Sequence, residues 1–224
     1  MNNDTEDITA MNEHELRAQI CDIGKSLWTK GMVAANDGNI SMRISGDEIL
    51  CTPTGVSKGF LTPKMLTKVT ITGEVVESAA GLRPSSEIKM HLRLYQLSDT
   101  VGAVVHAHPM FGTVFAIKGE ALAGKMMPES VIAMPEIPLA PYGTPSTDAV
   151  PDSVEPFVLT HTACLLESHG ALSWGPDLMA AYLSMERLEY TAKVTFLARL
   201  LGGERDLPDS EIDKLIGMRS LYGL

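Results

Sequence analysis

The stretch Val101-Gly102-Ala103-Val104-Val105-His106-Ala107-His108-Pro109 sets the reading of the fold. Its apolar, largely β-branched body predicts a strand over 101–108, and Pro109 stops the pairing because it has no amide hydrogen to donate. Residues two apart on a strand point to one face, so His106 and His108 are presented together where a cleft can open. Taken alone, a His-x-His pair is a weak signal, more often packing or chance than a metal clamp.

Short segments with turn punctuation lie upstream: 38–44, 48–52, 69–72 and 75–76, the last two separated by Gly73-Glu74. These predict a β-meander. Before them, Leu16, Ile20, Ile23 and Leu27 recur at helical spacing, with Asn12 placed to cap, Glu15 three residues later and Gly31 placed to end the helix. Pro84 is expected to open a second helix through about Leu97. Downstream, short strands are expected in the Gly/Pro-rich stretch 124–151, and strands over 163–166 and 170–174. The longest helix is expected from Pro176 and Asp177 to Gly202, and a last helix after Pro208. Strands and helices alternate, but several connections are too short for parallel crossovers. The expected class is therefore α/β, with a mixed, largely antiparallel sheet carrying helices on both faces.

The 224-residue length suits one domain, 11–224, behind a flexible polar and acidic segment at 1–10. That segment has neither the basic start nor the apolar run of a secretory signal. The three cysteines are scattered, which suits free thiols and a cytoplasmic protein. A net charge of −10 repels polyanions and argues against nucleic acid or an anionic membrane surface as a partner. No Walker loop or Gly-x-Gly-x-x-Gly pattern is present.

His169, in Ser168-His169-Gly170, sits between two of the predicted strands, beside a glycine that permits close backbone approach. Three histidines with an open fourth position would make a catalytic zinc site. His14, His91 and His161 have no comparable setting and read as structural. In Pro84-Ser85-Ser86-Glu87 the serines are ordinary capping residues, yet hydroxyls and free amides at a helix start also bind phosphate, and Glu87 would stand beside it as a proton carrier. The loops 35–41 and 52–59 add donors but are equally ordinary turns.

Taken in order, Gly38-Asn39-Ile40-Ser41, Pro84-Ser85-Ser86-Glu87, His106-Ala107-His108, Ala140-Pro141-Tyr142-Gly143-Thr144, Ser168-His169-Gly170 and Leu221-Tyr222-Gly223 resemble the class II aldolase/adducin family over nearly the whole chain. The resemblance implies a three-layer αβα sandwich around a mostly antiparallel sheet, and a homotetramer with active sites between subunits. It implies zinc (with manganese, cobalt or iron as substitutes) on His106, His108 and His169, with Glu87 as a fourth, displaceable ligand. It also implies a substrate phosphate on Asn39, Thr54, Gly55, Ser85 and Ser86, and Tyr222 closing over the site from a mobile tail.

The implied reaction is cleavage of a ketose 1-phosphate to dihydroxyacetone phosphate and an aldehyde. Glutamate at 87 resembles the family's aldolases, whereas its epimerases carry aspartate there. The alternatives are a sugar-phosphate 4-epimerase, a 3-oxo-tetronate 4-phosphate decarboxylase, or a non-catalytic adducin-like module. Met127 stands where the aldolases place a proton-handling tyrosine, and Pro145 where they place a phenylalanine. This leaves Tyr222, Tyr142 or water for that step and turns the expected substrate from L-fuculose 1-phosphate toward 5-deoxyribulose or 5-methylthioribulose 1-phosphate, whose tails suit an apolar pocket.

Overall fold

The computed structural model describes residues 12–222, so the segment expected to be flexible at 1–10 lies outside the described residues. The sheet has eight strands: β1 (Asn39–Ser45), β2 (Glu48–Cys51), β3 (Thr67–Thr70), β4 (Val75–Glu77), β5 (Ala103–Ala107), β6 (Leu139–Ala140), β7 (Ala163–Leu166) and β8 (Gly170–Gly175). Their spatial order is β4-β3-β2-β1-β5-β8-β7-β6. Every neighbouring pair is antiparallel except β6 with β7. The expected meander forms half of the sheet, and the strand carrying His106 lies at its centre.

Seven α-helices flank the sheet: α1 (Glu13–Thr29), α2 (Ile88–Leu97), α3 (Met110–Lys118), α4 (Pro128–Ala133), α5 (Ala149–Val154), α6 (Leu178–Leu200) and α7 (Asp209–Gly217). Alternation along the strands divides the core. Val105 and Leu165 join Ile20, Leu27 and Leu188 of α1 and α6 on one face. Val104 and Leu166 join Met90, Leu94 and Val154 of α2 and α5 on the other. Apolar residues thus line both faces of the central strands, which gives the three layers. Among the described residues no helix is long and apolar enough to cross a membrane.

Asn12 caps α1 with the capping box its spacing predicts, the Asn12 side chain accepting from the Glu15 amide and Glu15 accepting from the Asn12 amide. The second helix starts later than expected, at Ile88. Pro84 forms an isolated bridge with Pro53, and the amide of Ser85 donates to the Thr52 carbonyl. Pairing with the chain after β2 thus removes residues 84–87 from the helix and makes them a turn. In α6 it is Asp177 that caps, accepting from the Ala180 amide at 2.7 Å, so Pro176 precedes the cap instead of opening the helix. The stretch 124–151, expected to hold only short strands, contains α4 and the first half of α5 beside the two-residue β6.

Candidate active site

The antiparallel order brings the starts of β1 and β8 and the ends of β2, β5 and β7 to one end of the sheet. There Asn39 pairs with His106, and the β7–β8 turn carries His169. Two glycines allow the approach. A Cβ at Gly38 would lie 2.8 Å from the His106 carbonyl oxygen, and one at Gly170 would lie 2.6 Å from Cδ2 of His108 and 2.7 Å from the Ala107 carbonyl oxygen. Ser168 takes a left-handed φ of 58°, turning the chain between β7 and His169.

The three imidazoles stand with ring centroids 4.8–5.1 Å apart. His106 is fully buried, and its Nδ1 lies 2.9 Å from the Ala171 carbonyl oxygen. A carbonyl only accepts, so Nδ1 carries the hydrogen and Nε2 keeps its lone pair. Nδ1 of His108 lies 3.5 Å from Oδ2 of Asp37, which favours the same tautomer. The two Nε2 atoms then face each other at 3.2 Å. Burial, and then the neighbouring imidazoles of His169 and His108, hold His106 well below the ordinary histidine range. Burial also lowers His169.

Glu87 completes the group, with Oε1 3.4 Å from Nε2 of His169 and Oε2 3.5 Å from Nε2 of His106. With His106 and His108 in that tautomer, their Nε2 lone pairs face each other at 3.2 Å and repel unless a cation lies between them. Three imidazole nitrogens and one carboxylate suit a divalent transition metal.

A cleft of about 240 Å³ opens over Glu87, His108 and His169, and Asn39, Thr54, Gly55, Ser85 and Ser86 all line it. Within that set, Nδ2 of Asn39 donates to Oε2 of Glu87 at 2.9 Å, so in this state Asn39 holds the carboxylate. The Ser85 hydroxyl accepts from the Glu87 amide at 3.3 Å, while Thr54, Gly55 and Ser86 are exposed to the cleft. Tyr222 and Met127 do not line it. Tyr222 is exposed on a terminal 3-10 turn, Arg219–Tyr222, and Met127 borders a second cleft with Met110, Phe111 and Tyr190. Tyr142 is also exposed, its amide donating to Glu167. Asp37 and Lys58, which the motif reading did not single out, line the histidine cleft too. Each lies within one of the donor-bearing loops 35–41 and 52–59, and only the fold shows what it faces.

Residues 18–196 match the model of the Class II Aldolase and Adducin N-terminal domain. The chain belongs to this family. Among its relatives, a 3-oxo-tetronate 4-phosphate decarboxylase of Escherichia coli is 32% identical over 189 residues, covering 83% of this chain and 88% of that one. An L-fuculose phosphate aldolase of Methanococcus maripaludis is 30% identical over 175 residues, covering 78% and 93%. A solved L-fuculose 1-phosphate aldolase superposes with a TM-score of 0.85 at 27% identity, over 96% of this chain and all of that one. The family supports a metal-dependent, catalytic protein, and His106, His108 and His169 form a triad that could hold the metal.

Proposed function

We propose that this chain is a zinc-dependent lyase that cleaves a ketose 1-phosphate to dihydroxyacetone phosphate and an aldehyde. The observation that carries it is the joining of the three Nε2 atoms and the Glu87 carboxylate to a cleft lined by hydroxyls and backbone donors that suit a phosphate. His106, His108 and His169 would hold a dication, which would supply Lewis acidity for the substrate carbonyl. Thr54, Gly55, Ser85 and Ser86 bind and orient the phosphate end. When the bond between the third and fourth carbons breaks, its electron pair stays on the third carbon, and the proton of the departing hydroxyl goes to a base. Glu87 returns a proton to that carbon, and the hydrogen bond from Asn39 holds its carboxylate for the task.

A second reading, decarboxylation of a 3-oxo-tetronate 4-phosphate, is favoured by the relatives of that name. The two reactions share most of their requirements. Loss of carbon dioxide from the oxo acid leaves an electron pair on the carbon beside the carbonyl, and protonation there again yields dihydroxyacetone phosphate. Only the leaving half differs: an aldehyde needs a base for its hydroxyl and carbon dioxide does not. With Met127 in place of the expected tyrosine, cleavage leaves that proton to Tyr222, Tyr142 or water, and a homotetramer would bring a neighbouring subunit's tail residues within reach. The exposed apolar residues Met110, Ile117, Leu183 and Tyr190 along α3 and α6 suit such an assembly.

The test is a product assay on fuculose, 5-deoxyribulose and 5-methylthioribulose 1-phosphates and on the oxo acid phosphate. Aldehyde release with dihydroxyacetone phosphate supports the aldolase, and carbon dioxide release selects the decarboxylase. Chelation should abolish turnover, and about one zinc per chain should restore it. Glu87→Gln should lower turnover by about 10²–10⁴-fold with zinc still bound. Full turnover in that variant would remove Glu87 from the chemistry.

A further inference from the structure

Lys58 is 1% exposed, which is unusual for a lysine. It opens the 3-10 turn Lys58–Phe60, and its Nζ donates to the carbonyl oxygens of Asn36 at 2.9 Å and Val56 at 2.6 Å. Those carbonyls belong to the two glycine-bearing loops, so the ammonium ties one loop to the other. An ammonium has three hydrogens to donate, and these bonds use two.

Carbonyl dipoles do not neutralise a full charge, and an ammonium kept out of water without a carboxylate costs several kcal/mol. The nearest acids do not supply that partner. Glu87 turns to His106 and His169, and Asp37 to His108; both act on Lys58 only at longer range. Burial lowers its pKa to about 8, which leaves it largely protonated at neutral pH.

The surroundings show what would use that charge. Lys58 lines the histidine cleft beside Thr54, Gly55, Ser85 and Ser86, and among the described residues lining it Lys58 is the one Lys or Arg. The hydroxyls and backbone amides assigned to the phosphate are all neutral donors. They can shape a site for a phosphoryl group but cannot balance its two negative charges in a chain of net charge −10.

We propose that Lys58 is a further substrate-binding residue, whose third N–H and positive charge are directed at the phosphoryl group of the substrate from beneath the two loops. This rests on the reading of the cleft as a sugar-phosphate site, and it adds the one cationic ligand that the resemblance did not supply. Among the described residues the ammonium donates to the two carbonyls and to no carboxylate. A phosphate dianion supplies the missing partner and draws both loops onto itself.

Inorganic phosphate is the probe, titrated into the zinc-loaded full chain by calorimetry. Lys58→Met should weaken phosphate binding by at least about tenfold, with a smaller loss in Lys58→Arg. In turnover assays the same change should appear chiefly in KM. On the wild-type protein labelled with ¹⁵N-lysine, the Nζ resonance of Lys58, assigned by its loss in Lys58→Arg, should shift on adding phosphate and stay in place with chloride. That measurement decides the matter if the methionine variant does not fold.

Absence of phosphate binding in the wild type, binding in Lys58→Met within twofold of wild type, or an unmoved Nζ signal at saturating phosphate would each overturn the role. If Lys58 responds to phosphate but none of the candidate substrates turns over, the reaction assignment fails and this site stands. Normal turnover with an unresponsive Lys58 removes this site alone.

Discussion

Asp37 shows how a residue can be invisible in a motif and still shape a candidate metal site. In sequence it is one polar member of Asn36-Asp37-Gly38-Asn39, a composition that any turn could have. In the fold its carboxylate lies 3.5 Å from Nδ1 of His108, on the side of the ring opposite the Nε2 that faces His106. A carboxylate there fixes the ring tautomer and raises the basicity of the ligating nitrogen. Asp37→Ala should lower zinc affinity by about 10–100-fold while leaving the fold intact, as read by competition with a chromophoric chelator and by far-ultraviolet circular dichroism. An unchanged affinity would show that His108 is held by packing alone. The histidines themselves were legible because imidazole has few uses in a pair two residues apart on an apolar strand. Their supporting groups were not, because Asp37 meets His108 across 71 positions of sequence.

At the scale of elements, legibility followed periodicity. Helix α1 could be read from its apolar spacing and capping box, and β5 from its β-branched body ending at proline. Helix α3 could not: Met110-Phe111-Gly112-Thr113-Val114-Phe115-Ala116-Ile117-Lys118 is apolar on nearly every side and has no amphipathic stripe to mark it as helical. Ser85 and Ser86 look like a helix start in sequence but form a turn, because the competing partner, the Thr52–Thr54 backbone, lies on another element. At the β7–β8 turn Gly170 is the point of close approach that its sequence setting predicts. Its methyl-free Cα admits the end of β5, and a Cβ there meets His108 and the Ala107 carbonyl within 2.7 Å. Gly170→Ala must therefore push the two strand ends apart and separate His169 from the β5 histidines. Zinc affinity should fall on the order of tenfold or more, accompanied by a lower melting temperature of the metal-free protein. A variant that kept both would mean that the strand ends yield without cost.

For the whole molecule, the pH dependence of stability is written in a histidine that the site does not use directly. His91 of α2 is 1% exposed, its Nδ1 2.7 Å from the Ser41 hydroxyl, which also meets Tyr95 at 2.8 Å. Nε2 is buried and has no hydrogen-bond partner among the described residues. Burial first, and then the imidazole of His106, push its pKa down to about 3, against 6.5 for an unperturbed histidine. Between those values the unfolded chain binds a proton that the native chain refuses. Stability is thus fully present above about pH 6.5 and is lost as pH falls toward 3. His91 contributes a slope on the order of 1 kcal/mol per pH unit in that window. His106 and His169, also lowered, act in the same direction when the metal is absent. Urea unfolding of chelator-stripped protein at pH 7.5 and 5.5 should show the wild type losing more stability than His91→Gln, by about one proton's worth of slope. Equal slopes would mean that His91 takes up its proton in the native state, which would require a carboxylate or water at Nε2. Because the Ser41 and Tyr95 network joins β1 to α2 under the site, the same acid transition should loosen the wall carrying Glu87 before the outer strands β3 and β4 separate. Hydrogen exchange at pH 5.5 should therefore show the amides of α2 losing protection ahead of those of β3.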